Sequence, residues 1–324
     1  MLSEKRKITD IVKFIAALLV VIGHLFLYYS GMQAVTQWVN LGAQCVSLFL
    51  FFSAYGLMCA YERNGKAYLN GFFSRRLGRI LIPLVTAYAV SLVVYAVFKG
   101  KIDWHNVLVT LSWGGPYLKF SWYVTEITAL YLLFYVCAKI SGSENRLAWS
   151  LSISAFLLII VLFITRQPVW YINGLPCFVL GIWYQRYEER ILTALDKYKW
   201  LVLFALLVGF LLTFQWHYIR DAVPALSAWR YEYIAMYLSN FLFVLIVINI
   251  LEFIPNKTIE FSLGGGYIIS SFYEVYLLQN AVMIVFSSFS LPFAAMWILT
   301  MCSTVFIAVV FNLLNKKISN LFVR

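Results

Sequence analysis

Residues 8–29 read Ile8-Thr9-Asp10-Ile11-Val12-Lys13-Phe14-Ile15-Ala16-Ala17-Leu18-Leu19-Val20-Val21-Ile22-Gly23-His24-Leu25-Phe26-Leu27-Tyr28-Tyr29. At a rise of about 1.5 Å per residue, a run of this length crosses the ~30 Å hydrocarbon core of a bilayer. It is expected to be a first transmembrane helix rather than a cleavable signal peptide. Comparable runs recur at 43–60, 78–98, 121–140, 147–165, 169–186, 199–215, 231–251, 266–288 and 291–313. The chain is therefore expected to be an all-α, polytopic integral membrane protein of about ten helices. The longest connections, 61–77, 99–120 and 216–230, leave no room for a soluble domain, so residues 1–324 read as one transmembrane domain.

Composition agrees. Hydrophobic types make up 63% and charged types 12%, against about 25% charged in a soluble domain. A net charge of +11 would point to nucleic acid in a soluble chain. Here cytoplasmic loops account for it, and no nucleic-acid partner is expected. With the N-terminus cytoplasmic, Lys99, Lys101, Lys119, Arg166, Arg220 and Arg230 fall outside and Lys13 lies in the first span. The other eighteen of the 25 Lys and Arg fall inside. That bias predicts both termini inside and an even number of spans. Cys45, Cys59, Cys137, Cys177 and Cys302 form no CxxC pair, so neither a metal site nor a disulfide framework is expected.

Ionisable groups are costly in hydrocarbon and usually face a bundle interior or a cavity. On the first helix, Lys13, His24 and Tyr28 fall within about 60° of Asp10, one polar stripe on an apolar cylinder. His24 lies about 21 Å further along the axis than Asp10, in the outer half of the membrane. It can be a packing histidine bonded to a neighbouring helix or a functional group. Asp10 can equally be an N-cap, and Lys13 can snorkel to headgroups. At the cytoplasmic start of the third helix, Arg76 and Arg79 share a face. Two guanidiniums there suit a phosphate-rich ligand, or simply obey the positive-inside bias. Glu126 and Glu274 are acids set well inside spans. Glu274 sits about 12 Å into the ninth helix and shares a face with Tyr267, Ser270 and Ser271, while Gln279 lies on another. It is a site candidate or an interhelical hydrogen bond. Gly264-Gly265-Gly266 lacks phosphate-loop spacing and reads as a flexible helix start. His105 and His217 are loop histidines, and no GxSxG or HExxH motif occurs.

Taken in order, these pieces resemble the acyltransferase 3 family of bacterial membrane acyltransferases that modify cell-surface glycans. The family's first helix reads I-D-x-x-R and then V-x-x-x-H; here Ile8-Thr9-Asp10-Ile11-Val12-Lys13 precedes Val20-Val21-Ile22-Gly23-His24. Its F-F-F-I-S-G-Y is matched by Phe49-Leu50-Phe51-Phe52-Ser53-Ala54-Tyr55. Its R-x-x-R and proline are matched by Arg76-Leu77-Gly78-Arg79 and Pro83. Trp122-Tyr123-Val124 with Tyr131, and Ser271-Phe272-Tyr273-Glu274-Val275-Tyr276-Leu277-Leu278, are similar to its fourth and ninth helices. Lys13 replaces the usual arginine, Ala54 a glycine and Gln279 a common second histidine, and Glu126 stands one position early.

The resemblance implies a multi-pass protein of the bacterial cytoplasmic membrane, usually of ten helices. It implies transfer of an acyl group, acetyl foremost, from cytoplasmic acyl-CoA to a hydroxyl of a cell-surface or lipid-linked glycan, without a metal. Hydroxyl acylation needs a base near neutrality, which histidine supplies. His24, with Asp10 and Glu274, is the catalytic candidate, as general base or transient acyl carrier. Arg76, Arg79 and Lys13 are the candidates for the acyl-CoA phosphates. Polar stripes also suit a transporter or flippase for a lipid-linked glycan, although no two-fold repeat stands out. A membrane sensor or scaffold is a third reading, for which the loops offer little surface.

Overall fold

The computed structural model describes residues 6–28, 40–110, 115–223, 231–254 and 263–322. Among them every regular element is helical. In chain order the helices are α1 (Arg6–Tyr28), α2 (Gly42–Asn64), α3 (Phe72–Arg76), α4 (Gly78–Phe98), α5 (Trp104–Thr110), α6 (Trp122–Ile140) and α7 (Glu144–Ile164). They continue as α8 (Leu175–Leu195), α9 (Lys199–Phe214), α10 (Trp216–Ala222), α11 (Tyr231–Phe253), α12 (Leu263–Ser270), α13 (Phe272–Ser287) and α14 (Phe293–Phe322). Eight helices among the described residues are long and apolar enough to cross a membrane. The chain is an all-α polytopic membrane protein.

Two of the expected spans look different in three dimensions. The sixth begins later than residue 169, at Leu175 after a short 3-10 turn (Val169–Tyr171), with Pro176 in its first turn. Proline fits there because its missing N–H would have no helical partner. The ninth is interrupted at Ser271 into α12 and α13. Glu274 therefore sits in the first turn of α13 rather than well inside one continuous helix. The connections 61–77, 99–120 and 216–230 each contain short helical pieces: the turn Gly65–Leu69 with α3, then α5, then α10. Of the flanking cations, Lys5, Arg230, Lys257 and Arg324 lie outside the described residues.

The chain divides into two units, each discontinuous in sequence. One comprises Met1–Thr9, Ala43–Tyr68 and Cys137–Ile259; the other comprises Asp10–Gly42, Leu69–Val136 and Glu260–Arg324. In the first, α8 lies against α7 and α11, and α9 against α11. Tyr55 of α2 donates its hydroxyl to Glu188 of α8 at 2.7 Å, answering a buried carboxylate. Gln44 of α2 donates to Ser239 of α11 at 3.0 Å. In the second, α13 packs on both α14 and α4. Eleven consecutive residues of α13, Glu274 to Ile284, are buried, so it is enclosed on every side.

In the first unit α2 and α8 approach closely at a glycine. A methyl group on Gly181 would run into the Phe51 carbonyl oxygen and stand 3.0 Å from Cβ of Ala54. Ala54, which replaces the glycine of the family's second-helix motif, is accommodated because the facing helix supplies the glycine instead. Gly181→Ala is expected to force these helices apart and destabilise the protein by about 1–3 kcal/mol, the usual range for overpacking. A lowered thermal-unfolding midpoint in detergent would register it, with Gly56→Ala as control, since a methyl there meets nothing within 4 Å.

Candidate active site

His24 lies on α1, about four turns beyond Asp10. Its ring stacks on Phe120 with centroids 3.6 Å apart and planes 5° from parallel. Its Nδ1 is 2.9 Å from Oε1 of Gln279 on α13. Phe120 belongs to the turn segment that precedes α6, and α13 holds that segment in place. The Tyr276 hydroxyl donates to the Phe120 carbonyl, and the Asn280 side chain donates to the Tyr117 carbonyl at 3.4 Å. One face of α13, presenting Tyr276, Gln279 and Asn280, thus fixes both the edge and the plane of the imidazole. Lys119 brings its ammonium to 5.7 Å from the Phe120 ring centre, placing a cation beside the stack.

Glu274 is turned to a different side of α13. Its two carboxylate oxygens accept from Asn312 at 3.0 Å and Asn315 at 3.2 Å, both on α14. Asn315 in turn accepts from the Thr86 hydroxyl of α4 at 2.9 Å. Asn312 accepts from Ser270 at 3.2 Å and Lys316 donates to Ser270 at 3.1 Å. The network runs from α12 through α13 and α14 to α4. Interhelical hydrogen bonding by Glu274 is thus observed; its partners are Asn312 and Asn315, while the partner of His24 is Gln279.

Asp10 and Lys13 pair with one another at 3.1 Å, and the Lys13 ammonium stands 5.8 Å from the Phe272 ring centre at the start of α13. Capping by Asp10 does not occur, because α1 already runs from Arg6 and places Asp10 within the helix. Tyr28 closes the expected stripe, but its side chain lies outside the described residues. Arg76 ends α3 and Arg79 is in the first turn of α4; Leu77 between them keeps helical backbone, so the two remain on neighbouring positions of one surface. Arg79 is exposed and makes no hydrogen bond or ion pair with the described residues. The residue after it is tied to α13: the Tyr273 hydroxyl donates to the Ile80 carbonyl at 3.1 Å. Tyr273 and Gln279 are about 9 Å apart along the axis of α13. One helix therefore carries both the partner of His24 and the anchor of the arginine segment.

Glu126 is buried on α6, and neither carboxyl oxygen has a hydrogen-bond partner among the described residues. His105 and His217 fall on the short helices α5 and α10 rather than in loops. Gly264, Gly265 and Gly266 open α12, as expected of a helix start. Sequence reasoning did not single out Phe120, Asn312 or Asn315, nor the part played by Tyr276. None is ionisable at neutral pH, so none stands out as a costly group inside an apolar run.

Among known protein families, residues 7–313 match the acyltransferase domain that defines the acyltransferase 3 family. No curated protein and no solved structure matches the chain.

Asn312→Leu and Asn315→Leu each remove one donor from Glu274. Each is expected to cost about 0.6–1.7 kcal/mol, the measured span for interhelical hydrogen bonds in membranes. The double variant should cost more than the sum, because it strands the carboxylate. Reversible unfolding in mixed micelles reads both.

Proposed function

The chain belongs to the acyltransferase 3 family and is a multi-pass membrane acyltransferase, and we propose that it moves an acyl group, acetyl foremost, from cytoplasmic acyl-CoA to a hydroxyl of a cell-surface or lipid-linked glycan. The observation that carries this reading is the imidazole of His24, stacked on Phe120 and bonded to Gln279 of α13, the helix that also anchors the arginine segment. A histidine held in a fixed plane with one nitrogen engaged is the arrangement hydroxyl acylation uses.

The acceptor oxygen attacks the thioester carbonyl carbon and its proton passes to His24. The carbon–sulfur bond then breaks, and the departing thiolate of CoA takes that proton back from His24, which returns to the neutral base. In the alternative order His24 carries the acyl group before the acceptor receives it. Either route works through a ring nitrogen with a free lone pair. Arg76 and Arg79 bind the phosphates of CoA, and the guanidinium of Arg79, exposed and without a partner among the described residues, favours such a ligand. Lys13, held by Asp10, adds positive charge to the donor path. Glu274 secures α13, α14 and α4 around that path. The pantetheine arm spans from the arginines to His24, so donor phosphates and reacting carbonyl engage different levels of one unit. The protein works in the bacterial cytoplasmic membrane with ten spans and both termini inside, as the positive-inside bias favours.

Deletion of the protein is expected to lower surface-glycan mass by one acetyl per modified unit, and His24→Ala to reproduce that loss without removing the glycan. Unchanged acylation with His24→Ala would overturn the assignment; loss of the whole glycan would favour a flippase. In nanodiscs with labelled acetyl-CoA, Arg79→Ala should raise KM for the donor about tenfold or more, the worth of one charge-assisted hydrogen bond.

A further inference from the structure

We propose that Gln279 is a positioning residue that holds neutral His24 as the Nδ1–H tautomer, leaving Nε2 as the nitrogen that takes the acceptor proton or the acyl group. The inference rests on the acyl-transfer reading for what Nε2 does, but the tautomer follows from the local geometry alone.

The argument begins at a carbonyl. The Gln279 side-chain nitrogen lies 2.8 Å from the backbone carbonyl of Tyr276, one turn earlier on α13. A carbonyl can only accept, so the amide must present its NH2 there. Reversing the amide would set two acceptor oxygens against each other at a fully buried residue. With the nitrogen fixed, Oε1 faces the imidazole, and an amide oxygen can only accept. The ring nitrogen 2.9 Å away is therefore the donor: Nδ1 carries the hydrogen. In the neutral ring the other nitrogen, Nε2, then holds the lone pair. No hydrogen-bond partner for Nε2 occurs among the described residues, and His24 is only half-buried. The nearly parallel Phe120 ring opposes rotation of the imidazole out of this arrangement.

Tyr276 supplies both halves of the device. Its carbonyl orients the glutamine, and its hydroxyl holds the segment that carries Phe120. A glutamine thus supplies a fixed acceptor where the family often has a second histidine. An amide cannot exchange donor and acceptor by moving a proton, so the assignment of the two nitrogens of His24 does not drift.

The chain has three histidines, so His105→Gln and His217→Gln leave His24 as the single imidazole. Nitrogen-15 NMR of histidine-labelled protein in nanodiscs then reads the tautomer directly. The unprotonated, pyridine-type signal is expected at Nε2. Gln279→Glu, as the neutral acid, can donate its hydroxyl to the Tyr276 carbonyl and keep an acceptor oxygen toward the ring, so it should keep Nδ1 protonated. Gln279→Met keeps the volume without an acceptor and should give a mixture of tautomers. It should also lower kcat by roughly 10²-fold, the lower range of general-base contributions, with KM for acyl-CoA little changed. A pyridine-type signal at Nδ1 in the otherwise native protein, or an unaltered tautomer and rate in Gln279→Met, would overturn the proposal. If Gln279→Met does not fold, the spectra of the parent and of Gln279→Glu still decide it. Absence of any acyl transfer by the parent protein would instead refute the acyl-transfer reading and leave the tautomer result standing.

Discussion

Hydrocarbon offers no hydrogen-bond partner, so a polar group carried into the membrane is costly unless another part of the chain answers it. The arrangement of the second unit follows from that requirement. Glu274 is met by two asparagines from α14, one of which is met in turn by a threonine from α4. His24 is met by Gln279, and Gln279 by the backbone of its own helix. Each answer fixes a helix at a particular height and rotation. The demand for satisfaction therefore becomes positional accuracy at the imidazole. Apolar packing alone could not supply this, because lipid tails and leucine side chains are nearly equivalent neighbours.

The network also explains why α13 matters more than its length suggests. It receives the α1 histidine through Gln279, holds the segment before α6 through Tyr276 and Asn280, binds α14 through Glu274 and touches α4 through Tyr273. Glu274 and Gln279 stand about 140° apart around the helix, so one carboxylate can serve the scaffold while one amide serves the imidazole. The acids and bases that attract attention in a membrane sequence thus divide by orientation.

Much of this was readable from residues. The spans follow from hydropathy, and His24 is conspicuous because an imidazole deep in an apolar run demands a reason. The arginine pair follows from spacing. What the sequence withheld has physical causes. Helical periodicity states which residues share a face but not which neighbour that face meets, so Asp10, Lys13 and His24 read as one stripe although Asp10 and Lys13 answer each other. The interruption at Ser271 falls where no proline marks it. Asn312, Asn315 and Gln279 are amides, cheaper in hydrocarbon than charges and therefore inconspicuous, yet they are the partners that assign roles to Glu274 and His24. Phe120 could not be found at all, since one aromatic among many in an aromatic-rich chain carries no local signal.

The enclosure of α13 has a consequence for the lipid around the protein. At about 24 Å it is shorter than the ~30 Å hydrocarbon layer. A lipid-facing helix of that length would tilt, or thin the bilayer, to correct the mismatch. From Glu274 to Ile284 this one is surrounded by protein instead. Variation in acyl-chain length or membrane fluidity thus falls on helices of the same unit such as α4 and α14, which carry exposed apolar side chains. The imidazole's partner is insulated from the thickness of the membrane in which it works.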